Sequence, residues 1–301
     1  MEFTSFTTLV RDEVEKKAGD NYIVRLNEVR KNNGLVLSGL TVMHNESNIS
    51  PTIYLNNYYD AYINGNITLI SVVNDVMDTY HKNKVSQNVD MRYFVDYSKV
   101  KDRIVYKLIN TEKNRELLED VPHVEFLDLS IVFQFIVSQN EDSIASILIH
   151  NAHTRLWNIS LDELYRTARD NTQQLLGYEI TNMNDILDEM LEKSEDDDSL
   201  MKELTVETPM YVISNKNRVD GAACIIYPNL LGDFALSLNS GFYVIPSSVH
   251  EVIIVPTEDT SEADDIRGMI REINDTQVEL EEILSYSLYY FDKDKNRLIR
   301  V

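Results

Sequence analysis

The chain of 301 residues has a single cysteine, Cys224, which excludes an intrachain disulfide and a thiolate metal cluster and fits a reducing, cytoplasmic setting. Its nine glycines never fall in a dinucleotide fingerprint or a phosphate loop, so nothing in the chain cradles nucleotide phosphates and no cofactor is expected. No apolar run approaches the roughly 18 residues that span hydrocarbon; the greasiest piece, Val252 to Pro256, is strand-sized. Basic residues are scarce. The 28 Lys and Arg stand against 50 Asp and Glu, a formal charge of −22, the wrong sign for nucleic-acid phosphates or anionic lipid. Direct nucleic-acid binding and membrane association are therefore not expected. The N-terminal MEFTSFTTLVRDEVEK lacks the basic start and apolar stretch of a secretory signal, so export by that route is not expected either. What the chain does have is 43% apolar residues, enough to bury a globular core.

Hydrophobic spacing divides the chain into helical and extended stretches. Phe3, Phe6, Leu9, Val10 and Val14 repeat at three and four, predicting an amphipathic helix from Phe3 to Lys17. Alternation over Tyr22 to Arg30 and Leu35 to Met43, around Lys31-Asn32-Asn33-Gly34, predicts a β-hairpin. Ser50-Pro51 reads as a cap and first turn opening a helix that carries Tyr54, Tyr58, Tyr59 and Tyr62 and ends at Asn64-Gly65. Such a tyrosine stripe reads as a buried helix face before it reads as a recognition groove. Further helices are predicted over Ile67 to Lys84 and Ser98 to Leu118, then a second hairpin over Leu129 to Val137 and Ala145 to Ile149. Helices follow from Asn151, over Leu161 to Leu175 with a Ser160/Glu163 capping box, and over Asn182 to Lys193. Residues 192–208, with Glu195-Asp196-Asp197-Asp198, read as an exposed acidic linker.

Beyond it a third hairpin is expected from Met210 to Asn215 and Ala222 to Tyr227, and a helix from Pro228 to Leu238. A fourth hairpin is expected from Phe242 to Ile245 and Glu251 to Val255, an acidic helix over Ser261 to Gln277, and a last strand pair, Leu288 to Phe291 with Arg297 to Val301. The expected fold is α+β, antiparallel β-hairpins with helices on one face, in two subdomains: an α+β domain over 1–191 and a ββαββα domain over 209–301.

The segment PSSVHEVIIVP, Pro246 to Pro256, concentrates the chemistry. Hydroxyl, imidazole and carboxylate are the parts of a hydrolase, and Ser248 and His250 share a face if the stretch is extended, whereas Glu251 points away. Cys224 is a second candidate nucleophile for His250. The alternative is a turn in which the serines bond backbone amides and His250 bonds locally. His150 and His153 in HNAH are spaced to meet on one helix turn, but no HExxH or cysteine pair supplies further ligands, so no metal is expected. The carboxylates Glu262, Asp264, Asp265, Glu272, Asp275, Glu279, Glu281 and Glu282 could imitate nucleic-acid charge or simply be a solvated surface.

ISPTIYLNNYYDAYINGN (Ile49 to Asn66), MYVISN (Met210 to Asn215), GAACIIYPNLL (Gly221 to Leu231) and PSSVHEVIIVP together resemble an uncharacterised bacterial family known only as a domain of unknown function. The likeness covers nearly the whole chain, and the C-terminal part also looks like a second uncharacterised bacterial family. The resemblance implies a cytoplasmic bacterial protein and assigns no residue a role. The leading reading is a non-catalytic binding or adaptor protein with a protein partner, a basic one being a candidate. The alternatives are a hydrolase using Ser248 or Cys224 with His250 as base, and an acidic decoy that occupies a nucleic-acid-binding protein.

Overall fold

The computed structural model describes residues 1–47, 50–84, 94–139, 144–193, 209–257 and 263–301. The chain divides into two compact units, Met1–Arg92 and Tyr93–Val301. Most of the expected acidic linker, residues 194–208, lies outside the described residues.

In the first unit the helix Phe3–Ala18 places Phe6, Val10 and Val14, fully buried, four residues apart along one face. That face packs on an antiparallel sheet of β1 (Tyr22–Arg30), β2 (Val36–His44) and β3 (Thr52–Tyr54) in the order β1-β2-β3. The hairpin runs in register from Tyr22↔His44 to Arg30↔Val36, and its turn places Asn33 (φ 59°) and Gly34 (φ 71°) in the left-handed region.

The helix expected from Ser50-Pro51 does not begin there. Thr52, Ile53 and Tyr54 instead pair with Thr41, Leu40 and Gly39 of β2. Ile53 and Leu55 are buried on alternate positions, a period-two burial that outweighs the local proline signal. The Ser50 hydroxyl donates to the Val42 carbonyl rather than capping a helix. The helix starts at Asn56 and runs to Ile63, with Tyr58, Tyr59 and Tyr62 half-buried against the same core. Tyr59 meets Phe3 edge-on at 5.1 Å and Tyr62 meets Phe6 at 5.2 Å. Leu69–Asn83, capped by Thr68, completes the unit with Val72, Val76 and Tyr80 facing inward.

The second unit holds two antiparallel sheets. In the four-stranded sheet, β6 (Leu129–Gln139) pairs with β4 (Ile104–Asn110) along one edge, while β5 (His123–Phe126) and β7 (Ile144–Leu148) share the other. The six-stranded sheet has the order β13-β12-β10-β11-β9-β8, from β8 (Glu179–Asn182), β9 (Tyr211–Ser214), β10 (Phe242–Ile245), β11 (Val252–Pro256), β12 (Tyr289–Asp292) and β13 (Arg297–Arg300). The helix Leu161–Leu176, capped by Ser160 through the Glu163 amide, lays Leu164, Ala168, Thr172 and Leu176 inward at every fourth residue. Thr172 reaches across, its hydroxyl accepting the Tyr106 amide of β4 at 3.0 Å. A shared cluster joins both sheets, including Tyr106, Phe133, Trp157, Phe242 and Tyr289; each such side chain contributes about 1.5–3 kcal/mol by leaving water.

Two expectations fail in this unit. The helix expected over Ser98 to Leu118 is one turn, Tyr97–Val100, followed by β4 and a short helix, Arg115–Leu118. Ile104, Val105, Tyr106, Leu108 and Ile109 are all buried, so the strand has no solvent face and no alternation to display. The strand expected at Ala222 to Tyr227 is a 3-10 helix, Gly221–Ile226. Both edges of β9 are already occupied, by β8 and by β11.

The turn between β5 and β6 is pinned to the far sheet by Asp128. Its carboxylate accepts the hydroxyls of Ser285 at 2.6 Å, Ser287 at 2.9 Å and Tyr289 at 2.6 Å. Burial, and then the Asp128 carboxylate, push the Tyr289 phenol well above its ordinary value, so the proton stays on the donor.

Candidate functional site

The Pro246 to Pro256 segment joins β10 to β11, which pair from Phe242↔Pro256 to Ile245↔Ile253. The residues between those strands are folded onto the 282–285 stretch by main-chain bonds. The amide of Val249 donates to the Glu282 carbonyl at 2.8 Å, that of Leu284 to the Ser247 carbonyl at 2.9 Å, and that of Ser285 to the Pro246 carbonyl at 2.9 Å. The Ser247 hydroxyl is buried and has no hydrogen-bond partner among the described residues.

Ser248 and His250 come together through the main chain, with no hydrogen bond between the hydroxyl and the imidazole. The Ser248 hydroxyl oxygen accepts the backbone amide of His250 at 3.0 Å, closing a local turn. Imidazole Nδ1 accepts the Asp220 amide at 3.3 Å, and Nε2 lies 3.4 Å from Glu282 Oε1. An accepting Nδ1 places the neutral ring's proton on Nε2, toward that carboxylate. The His250 carbonyl accepts the Ser214 hydroxyl at 2.7 Å.

This clasp depends on Gly221. A Cβ there would overlap the Ser214 hydroxyl and the His250 carbonyl oxygen. Only a residue without a side chain lets the 3-10 helix approach β9 so closely. Asp220, held at φ 55°, turns its carboxylate the other way. It accepts the Gln134 amide at 3.1 Å and lies 3.5 Å from Lys107 Nζ, while Ser146 donates to the Gln134 side-chain oxygen at 2.9 Å.

Cys224 is fully buried in the 3-10 helix. Burial pushes its thiol up to about 12, which leaves a thiolate fraction on the order of 10⁻⁵ at neutral pH. The thiol rests beside the Tyr227 hydroxyl, itself buried and without a conventional hydrogen-bond partner among the described residues. A buried, protonated sulfur behaves as a small hydrophobe.

The HNAH pair opens the helix Asn151–Trp157. His150 Nδ1 meets Asp120 Oδ2 at 2.7 Å, and His153 Nδ1 accepts the His150 amide at 3.0 Å. The His153 ring stands edge-on to Phe94 at 5.0 Å. Burial, and then the neighbouring His150, hold His153 below its ordinary value. Among the described residues no group of three His, Cys, Asp or Glu is arranged to hold a metal ion.

The acidic helix, described over Ala263–Thr276, buries Ile266, Ile270 and Asn274. Asp264 pairs with Arg267 at 2.5 Å, Asp275 accepts the Tyr286 hydroxyl at 2.9 Å, and Glu282 faces His250. Reading the sequence singled out Ser248 and His250 and counted Glu282 among the acidic residues, but it gave no role to Asp220 or Ser214. These lie more than 29 positions away from His250, and only the Asp220-Gly221 turn pair carried a local signal.

The sheets and this clasp define an antiparallel α+β protein whose most reactive-looking segment is held by main-chain bonds. The chain belongs to a family of unknown function, DUF5688, whose model matches residues 3–293. No curated protein and no solved structure matches it. Among the described residues no helix is long and apolar enough to cross a membrane.

Proposed function

We propose that this chain is a non-catalytic binding protein, an adaptor of the bacterial cytoplasm that recognises a partner rather than turning over a substrate. One observation carries the reading. The imidazole of His250 faces the Asp220 amide and the Glu282 carboxylate, while Ser248 bonds a backbone amide, so no hydroxyl or thiol among the described residues is hydrogen-bonded to the His250 ring that would serve as its base. The family's unknown function and the single, buried cysteine are compatible with it.

The test is capture from the native host at physiological salt, alongside an assay with a chromogenic ester and a serine-reactive phosphonate. A partner enriched by wild-type protein, with neither hydrolysis nor labelling, is the expected result. Ester hydrolysis lost in a folded His250→Ala variant would replace the adaptor with a hydrolase. Recovery of a basic nucleic-acid-binding protein, released by added salt, would favour the decoy.

A further inference from the structure

A second group of polar residues in the Tyr93–Val301 unit is placed quite differently. A cleft of about 350 Å³ is lined by residues of both sheets, among them Phe126, Tyr165, Tyr227 and Phe291, together with Asn229, Asn296 and Arg297. That volume is at the small end of ligand-sized cavities, and an apolar, aromatic lining with a few polar groups is the usual composition of such sites. Asn229 (φ 64°) and Asn296 (φ 46°) both occupy the left-handed region. They form the turn before the helix Leu230–Leu238 and the turn between β12 and β13, so two turns present polar residues to one opening.

Charge makes the cleft selective. In a chain with a formal charge of −22, its lining contains one cation, Arg297, and no Asp or Glu. The Arg297 guanidinium makes no hydrogen bond or ion pair to any described residue. Arg218 and Arg166 of the same unit are paired, with Glu179 at 2.8 Å and Asp162 at 2.5 Å, whereas Arg297 is exposed and stands opposite Asp292 in the β12–β13 ladder, whose carboxylate is taken by Lys295 at 2.7 Å. An unspent guanidinium beside aromatic walls suits a carboxylate, which it can grip through two parallel N–H bonds.

We propose that this cleft binds a small-molecule carboxylate carrying an aromatic or branched apolar body, with the carboxylate on Arg297 and the apolar part among Phe126, Tyr165 and Phe291. This deepens the binding reading and rests on it in one respect, that the ligand is held and not converted.

The test titrates the full-length chain with 3-phenylpropionate and indole-3-propionate, and with their primary amides, by calorimetry and ligand-observed NMR. The carboxylates are expected to bind with Kd near about 1 mM or tighter, and the amides about fivefold to tenfold more weakly. Arg297→Gln abolishes that preference without moving the melting temperature, and Ile226→Trp, which fills the cleft, removes binding of both. Should Ile226→Trp fail to fold, Arg297→Gln alone decides the matter. Absence of binding by any of the four compounds, equal binding of acids and amides, or a preference unchanged in Arg297→Gln overturns the proposal and leaves the adaptor reading standing. New resonances from a converted ligand would instead overturn the non-catalytic reading while keeping the cleft, as a substrate site.

Discussion

The turn around His250 and the cleft beside Arg297 belong to the same unit and differ in how their hydrogen-bonding capacity is used. At His250 the ring nitrogens face Asp220 and Glu282, the carbonyl takes a serine hydroxyl, and the amide is given to Ser248. At the cleft, an arginine has no partner among the described residues, and two turn asparagines share its opening. Residues that look reactive in a sequence can be the best-satisfied in the fold, and an unremarkable arginine in the last strand can be the group left for a ligand.

Several substitutions would break or sharpen this contrast. The largest effect belongs to Gly221→Ala: its methyl overlaps Ser214 and the His250 carbonyl, and a loss of about 3 kcal/mol is expected by urea denaturation. A wild-type midpoint would mean that the clasp is loose enough to open. Next comes His250→Ala, which strips the Asp220 amide of its acceptor and should cost about 1–2 kcal/mol while leaving carboxylate binding intact. Loss of binding there would join the two regions into one site.

A smaller effect concerns His153. Its folded value lies below the unfolded one of about 6.5, so below that pH the unfolded chain takes up the proton first. Stability is therefore full above about pH 6.5, falls as pH drops through it, and levels off beneath the folded value. Denaturation midpoints between pH 5 and 8 measure this, and His153→Asn, which keeps an acceptor for the His150 amide, should flatten the curve. The smallest change in stability is expected from Arg297→Gln, within about 0.5 kcal/mol of wild type. A large loss of stability would mean that the guanidinium is structural.

Elements with one wet face were legible from the residues alone. The first helix, the β1–β2 hairpin and the Ser160-capped helix show their period because one face of each meets solvent. β4 was not legible, since packing on both faces erases the alternation. Nor was the 3-10 helix at Gly221: its run of small and branched residues reads as a strand until the strands that occupy both edges of β9 are known. β5 and β8, four residues each, were not anticipated either.

The site followed the same pattern. Ser248 and His250 were visible because they stand two positions apart, whereas Asp220 and Glu282 are distant in the chain and reach the turn only through the tertiary fold. Arg297 carried no local signal, because what marks it is its place in a cleft lining that holds no Asp or Glu.

The pairing of β8 with β9 has a consequence for how the chain tolerates damage. These strands stand on either side of residues 194–208, yet Glu179↔Ser214 to Asn182↔Tyr211 form one ladder, and Ile180 and Ile213 sit in one apolar cluster. A protease that severs the backbone between them would therefore yield two fragments that migrate separately under denaturing electrophoresis and still elute as one particle from a sizing column.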